Sequence, residues 1–191
     1  MAFSKKENAG RAAEIYRVLE KSYPDARVHL AYRNPFELLA ATILAAQCTD
    51  ERVNTVTPAL FRKYPDAISL AAAKQTALER MIRSTGFYRN KAKSLLGMAK
   101  NLAERFSGKV PDTMAELTSV PGVGRKTANV VLGACFGKPA VIVDTHLKRV
   151  TGRLGLTGQS DPDKIELELK EIIPEDLQTR FSWLIGEHGR R

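Results

Sequence analysis

Leu117-Thr-Ser-Val-Pro-Gly-Val-Gly-Arg-Lys-Thr-Ala-Asn129 joins two helical segments through a four-residue turn, Pro121, Gly122, Val123 and Gly124. Upstream, Thr113 with Glu116 three residues later reads as a capping box for a short helix ending near Thr118. Downstream, a longer helix is expected from about Arg125 to Phe136. Two glycines two apart permit a tight hairpin and the close approach of another backbone. The second helix begins where the hairpin ends, so its free N–H groups and positive dipole end form a ready anion site, suited to a phosphate. A bare Pro-Gly-x-Gly also serves ordinary helix-turn-helix connections that need glycine for geometry alone. Here Arg125 and Lys126 follow at once on a basic chain, which favours the anion-binding reading.

Outward from the hairpin the apolar pattern is helical nearly throughout. Asn34 is an expected N-cap with Pro35 at the first helical position. Phe36, Leu39, Ala40, Ile43, Leu44 and Gln47 are then expected on one face. Asp50 is expected to cap a further helix carrying Val53, Val56 and Leu60. Tyr88, Ala92, Leu95, Ala99, Leu102 and Phe106 alternate steps of three and four before Gly108 stops the pattern. Pro162, just after Asp161, opens a helix with Ile165, Leu169 and Ile172 on one stripe. Pro139-Ala-Val-Ile-Val143 is the single strand-like run, short and without a partner of similar quality. The fold is therefore expected to be all-α. No internal repeat or low-complexity linker interrupts it.

The chain has 191 residues, 43% hydrophobic and 27% charged, enough to bury a real core in one or two modest domains. Its net charge of +9 attracts polyanions and speeds encounter with nucleic acid. A solvated basic surface without a partner is the bland alternative. No apolar run reaches the roughly 20 residues that a membrane span needs. The start, Met-Ala-Phe-Ser-Lys-Lys-Glu-Asn, has no apolar stretch behind its lysines, so no secretory signal is expected and a cytoplasmic, nucleoid-associated location follows. Cys48 and Cys135 are the only cysteines, far apart in apolar stretches, and read as buried free thiols. With His29, His146 and His188 they make no zinc spacing.

Val120-Pro-Gly-Val-Gly124 resembles the hairpin of the helix-hairpin-helix DNA glycosylases. Arg125-Lys-Thr-Ala-Asn-Val-Val131 and Val143-Asp-Thr-His146 are similar to the endonuclease III family. So are Leu44-Ala-Ala-Gln-Cys-Thr-Asp50, Gly86-Phe-Tyr-Arg-Asn-Lys-Ala92 and Trp183-Leu-Ile-Gly-Glu-His-Gly-Arg190. These blocks run in the family's order from about Asn34 to the last residue, which is far more specific than one motif.

The resemblance implies two helical lobes with a DNA-binding cleft between them. Residues 28–138 would form a six-helix barrel domain holding the hairpin. Residues 1–27 and 139–191 would form the second domain, the lobe that carries an iron–sulfur cluster in the family. Lys126 would lie on one lobe and Asp144 on the other. The expected protein is a monomer acting on double-stranded DNA that contains an oxidised pyrimidine or an abasic site.

Lys126 is the expected nucleophile of a bifunctional glycosylase and lyase. Its amine would attack the sugar C1′, expel the base and form a Schiff base, which permits strand-cutting β-elimination. A lysine near its reference pKa of ~10.4 is almost fully protonated and a poor nucleophile. Desolvation and the helix dipole are both expected to activate it. The competing reading is a surface lysine on a phosphate.

By the resemblance, Asp144 assists base departure and stabilises positive charge on the sugar. It also reads as a helix N-cap, and both roles can hold. Gln47 is expected to fill the gap left by the flipped nucleotide, since flipping costs a few kcal/mol of unstacking. Gly122, Val123, Gly124, Arg125, His146 and Arg149 are expected DNA contacts. The carbonyls of Thr118, Val120 and Val123 are implied as a monovalent cation site.

The family also implies a 4Fe–4S cluster held by four cysteines after His-Gly-Arg. This chain has none of them, and Cys48 and Cys135 are not at matching positions. Either it is a cluster-free member or it is cut before the first ligand; the lysine chemistry needs no cofactor. Two other readings remain open. A monofunctional mismatch glycosylase would carry Ser or Tyr in place of Lys126. A non-catalytic helix-hairpin-helix DNA-binding module would leave Asp144 and Gln47 without a role.

Overall fold

The computed structural model describes residues 4–191, and every regular element among them is helical. In chain order these are α1 (Lys5–Ser22), α2 (Pro35–Leu44), α3 (Asp50–Lys63), α4 (Ala67–Ala71) and α5 (Gln75–Ile82). After a 3₁₀ turn at Arg83–Thr85 come α6 (Tyr88–Arg105), α7 (Met114–Ser119), α8 (Arg125–Phe136), α9 (Thr145–Arg153), α10 (Pro162–Ile172) and α11 (Glu175–Arg190). None is long and apolar enough to cross a membrane. The run 139–143 forms no regular element; Ala140, Val141 and Ile142 are buried, and the Ile142 N–H donates to Ser182 Oγ at 3.0 Å.

Local chemistry explains most helix starts. Asn34 accepts the Glu37 N–H at 2.9 Å ahead of Pro35, and Asp161 caps α10 ahead of Pro162. Thr113 accepts the Glu116 N–H and donates its hydroxyl to the Glu116 carboxylate at 2.6 Å. α6 stops as expected, with Ser107 and Gly108 both at positive φ and the Gly108 N–H reaching back to Leu102 O at 2.9 Å.

Three expectations need correcting. α2 has no single apolar face: every residue from Phe36 to Leu44 is buried, with α3 and α6 packed against the helix. Gln47 is not on that helix, which ends three residues earlier at Leu44. Thr49, not Asp50, caps α3, accepting the Arg52 N–H at 3.3 Å; Asp50 is the first helical residue, where its charge favours the dipole.

The chain divides into two compact units, residues 29–131 and residues 1–28 with 132–191, the second junction falling inside α8. In the first unit α2 packs against α3 and α6, α3 against α5, and α4 along α6. Leu38, Leu39, Leu44, Leu60, Leu78, Ile82, Leu95, Met98 and Leu102 are wholly buried there. In the other unit α11 packs against α9 and α1, around Leu147, Ile165, Leu169, Phe181, Leu184 and Ile185. Burying each such side chain is worth about 1.5–3 kcal/mol, so these layers hold the site's helices firmly.

Candidate nucleic-acid interface and catalytic residues

The hairpin is held from beneath and open above. Val120 and Val123 are buried, whereas Pro121, Gly122 and Gly124 are exposed. The Val123 N–H donates to Val120 O at 3.1 Å, closing the turn. Gly122 has φ +81°, and a Cβ there would lie 3.0 Å from Ser94 Cβ of α6. Three residues along α6, a Cβ on Gly97 would lie 3.2 Å from Pro121. Thus the hairpin rests on one face of α6, and Gly122 is required both for backbone conformation and for space. Gly124 differs: its φ is ordinary and a Cβ there would meet nothing within 4 Å.

α8 begins at Arg125, with the Ala128 N–H bonding Gly124 O at 2.9 Å. The first N–H groups of a helix lack intrahelical acceptors, and Gly124 has no side chain to supply one. Lys126 is the second helical residue and is exposed; Arg125 is half-buried. Burial therefore does not desolvate Lys126 in the free protein, contrary to expectation, because the hairpin holds the first turn of α8 at the surface. Lys126 stands in the first turn, at the positive end of the α8 dipole.

Asp144 is half-buried and caps α9, its carboxylate accepting the Leu147 N–H at 2.7 Å. Lys126 belongs to one unit and Asp144 to the other. On α9, His146 and Arg149 converge on a single acceptor. His146 Nδ1 donates to Gly189 O at 2.8 Å and Arg149 Nη2 to the same oxygen at 2.6 Å. A Cβ at Gly189 would stand 2.8 Å from His146 Cβ, so glycine permits this approach. These two expected DNA contacts thus also fasten the last turn of α11.

Gln47 lies in the turn between α2 and α3, exposed and left-handed at φ 51°. A non-glycine residue there costs roughly 1–2 kcal/mol, a strain that tends to collect at functional positions. Sequence reasoning missed a second such residue, Phe87, at φ 45° with 63% of its surface exposed. The preceding Gly86, at φ 70°, was the available signal.

Among the described residues, no group of three or more His, Cys, Asp or Glu is arranged to hold a metal ion. Cys48 and Cys135 are free and half-buried, and two thiols do not fit a four-thiolate cluster. The expected cation carbonyls lie at the hairpin, where Val120 O already accepts one N–H and keeps a second lone pair.

A capped short helix, a glycine turn seated on a neighbouring helix and a second helix with a lysine in its first turn define an all-α helix-hairpin-helix protein. The family described as HhH-GPD superfamily base excision DNA repair protein matches residues 40–175, and this chain belongs to it. It is 54% identical over 181 residues to endonuclease III of Synechocystis sp., covering 94% of this chain and 83% of that one. Its fold is similar to that of a trapped endonuclease III–DNA covalent intermediate, with a TM-score of 0.89 and 41% identity over 96% of this chain and 84% of that one. A non-covalent endonuclease III–DNA complex matches with a TM-score of 0.88 and 41% identity, with the same coverage.

Proposed function

We propose that this chain is a bifunctional DNA glycosylase and AP lyase of base excision repair that removes oxidised pyrimidines from duplex DNA. One observation carries the reading: an exposed lysine stands second in a helix that starts directly after a glycine hairpin, in a chain of this family.

The hairpin takes a backbone phosphate through Gly122, Val123, Gly124 and the first turn of α8, with Arg125, His146 and Arg149 as further phosphate contacts. Gln47 and Phe87, two exposed residues held at positive φ, fill or abut the gap left by the flipped nucleotide. Substrate closing over Lys126 supplies the desolvation that the free protein lacks. The neutral amine attacks C1′; the C1′–N-glycosidic bond breaks and its electron pair leaves with the base. The aminal opens to a protonated Schiff base, loss of a C2′ proton drives departure of the 3′-phosphate, and water releases Lys126. Asp144 stabilises positive charge on the sugar as the base departs. The carbonyls of Thr118, Val120 and Val123 would hold a monovalent cation, oxygen donors suited to a hard ion, which stiffens the hairpin. No step uses an iron–sulfur cluster.

Borohydride trapping on duplexes containing thymine glycol or an abasic site tests this reading. A covalent adduct is expected with the wild-type chain and not with Lys126→Gln. Tight binding without an adduct from wild type would instead indicate a monofunctional enzyme or a DNA-binding module.

A further inference from the structure

Lys91, in the first turn of α6, is the one buried lysine among the described residues, with 5% of its surface exposed. Its ammonium donates to Thr85 O at 2.7 Å, a carbonyl rather than a carboxylate. Its backbone N–H donates to Phe87 O at 3.0 Å. Thr85 is itself buried and donates its hydroxyl to Ile82 O at 2.8 Å. Lys91 therefore grips both sides of a two-residue turn. That turn is Gly86, at φ 70° and ψ 162°, and Phe87, at φ 45° and ψ 28°.

A buried ammonium without a carboxylate partner is costly, and an apolar residue of similar volume would serve packing better. Burial pushes the Lys91 pKa below the ordinary lysine value, with Cys48 nearby opposing the shift. Left-handed backbone at an aromatic residue is a second expense, and exposure of most of that residue's surface is a third. All three costs have one geometric result, an aromatic ring held out from the surface. Arg83 precedes this turn and Tyr88, Arg89 and Lys93 follow it, the mixture of cation and aromatic that suits nucleic acid.

We infer that Lys91 is a positioning residue that clamps the Gly86–Phe87 turn so that the Phe87 ring is presented for stacking on a nucleic-acid base. The inference rests on the reading of this chain as a lesion-excising enzyme. Lys91 touches no substrate; it acts through Phe87.

A double-mutant cycle tests it. Wild type, Lys91→Met, Phe87→Ala and the double variant are compared for binding to a duplex with a tetrahydrofuran abasic analogue, and for single-turnover excision of thymine glycol. Loss of one stacking contact is worth about a fivefold to hundredfold fall in binding. Both single variants are expected to lose affinity, and the double variant to be no weaker than Phe87→Ala alone. If Lys91→Met binds as tightly as wild type, or weakens binding equally in the Phe87→Ala background, the inference is overturned. Should Lys91→Met fail to fold, Gly86→Ala probes the same turn. A Cβ there meets nothing within 4 Å, so the change perturbs only the φ of 70°. Its effect must likewise vanish in the Phe87→Ala background, and an additive effect sinks the idea. A wild-type chain that excises no lesion overturns the underlying reading, an outcome separate from additivity in an active enzyme.

Discussion

The Asp144 carboxylate accepts the Leu147 backbone N–H at 2.7 Å, so the residue proposed for the chemistry also starts α9. The two roles separate by substitution. Asparagine caps a helix about as well as aspartate, whereas alanine loses about 1 kcal/mol. Asp144→Asn is therefore expected to melt near the wild-type temperature while base excision falls by about a hundredfold or more, the scale of a lost charged catalytic group. Asp144→Ala should lose both stability and excision. Thermal melts with single-turnover assays check this; an active Asp144→Asn would leave Asp144 a cap only.

Gly122 and Gly124 look equivalent in the hairpin but are held for different reasons. Gly122→Ala forces φ +81° on alanine and brings Cβ to 3.0 Å from Ser94, for an expected loss of about 1–2 kcal/mol. Gly124→Ala has open space and ordinary φ. Its weaker capping is offset by reduced unfolded-state freedom, leaving a net change under about 1 kcal/mol. On the proposed phosphate site its Cβ would crowd the anion, so binding to plain duplex should weaken by about tenfold to a hundredfold, the loss of one charge-assisted hydrogen bond. Chemical denaturation and fluorescence anisotropy measure the two effects, and a destabilised Gly124→Ala with unchanged binding would refute the distinction.

Gln47→Gly removes the side chain and relieves left-handed strain together. Stability should stay level or rise by up to about 1 kcal/mol, the strain relief minus the extra flexibility of glycine. Lesion excision should fall, because one of the two side chains proposed to fill or abut the gap in the base stack is then missing. A stable variant with full excision would show that the turn is strained for a structural reason alone.

Cys135 should be an inert thiol. Burial pushes its pKa up to about 11 from an ordinary 9.0. Only about one molecule in a thousand is then thiolate at pH 8, and the thiolate is the reactive form. The unfolded chain releases this proton near pH 9 and the folded one near 11, so stability falls as pH rises through that window. Alkylation at pH 8 should be slow at Cys135, accelerate with pH, and become fast on denaturation. Mass spectrometry of a Cys48→Ser variant reads this directly; rapid native-state labelling would contradict it.

The helix starts at Asn34–Pro35, Asp144 and Asp161–Pro162, the glycine hairpin and the lysine behind it were legible in the sequence. Each depends on partners within three or four residues, so its physics is written locally. The all-α class followed from the same short-range periodicity. Nothing local marked α2 as buried on every side, or ended it before Gln47, because both depend on helices packed from elsewhere in the chain. The contrast between Gly122 and Gly124 is set by Ser94, some thirty residues away. The meeting of His146 and Arg149 on Gly189 joins positions some forty residues apart, and Lys91 acquires its meaning only because Thr85 is buried beneath it. Sequence alone determined the all-α class and most capped helix starts and singled out Lys126, because these depend on neighbours along the chain. Tertiary structure decided which residues are exposed, strained or clamped, because solvent exclusion and close approach belong to packed surfaces rather than to any single segment.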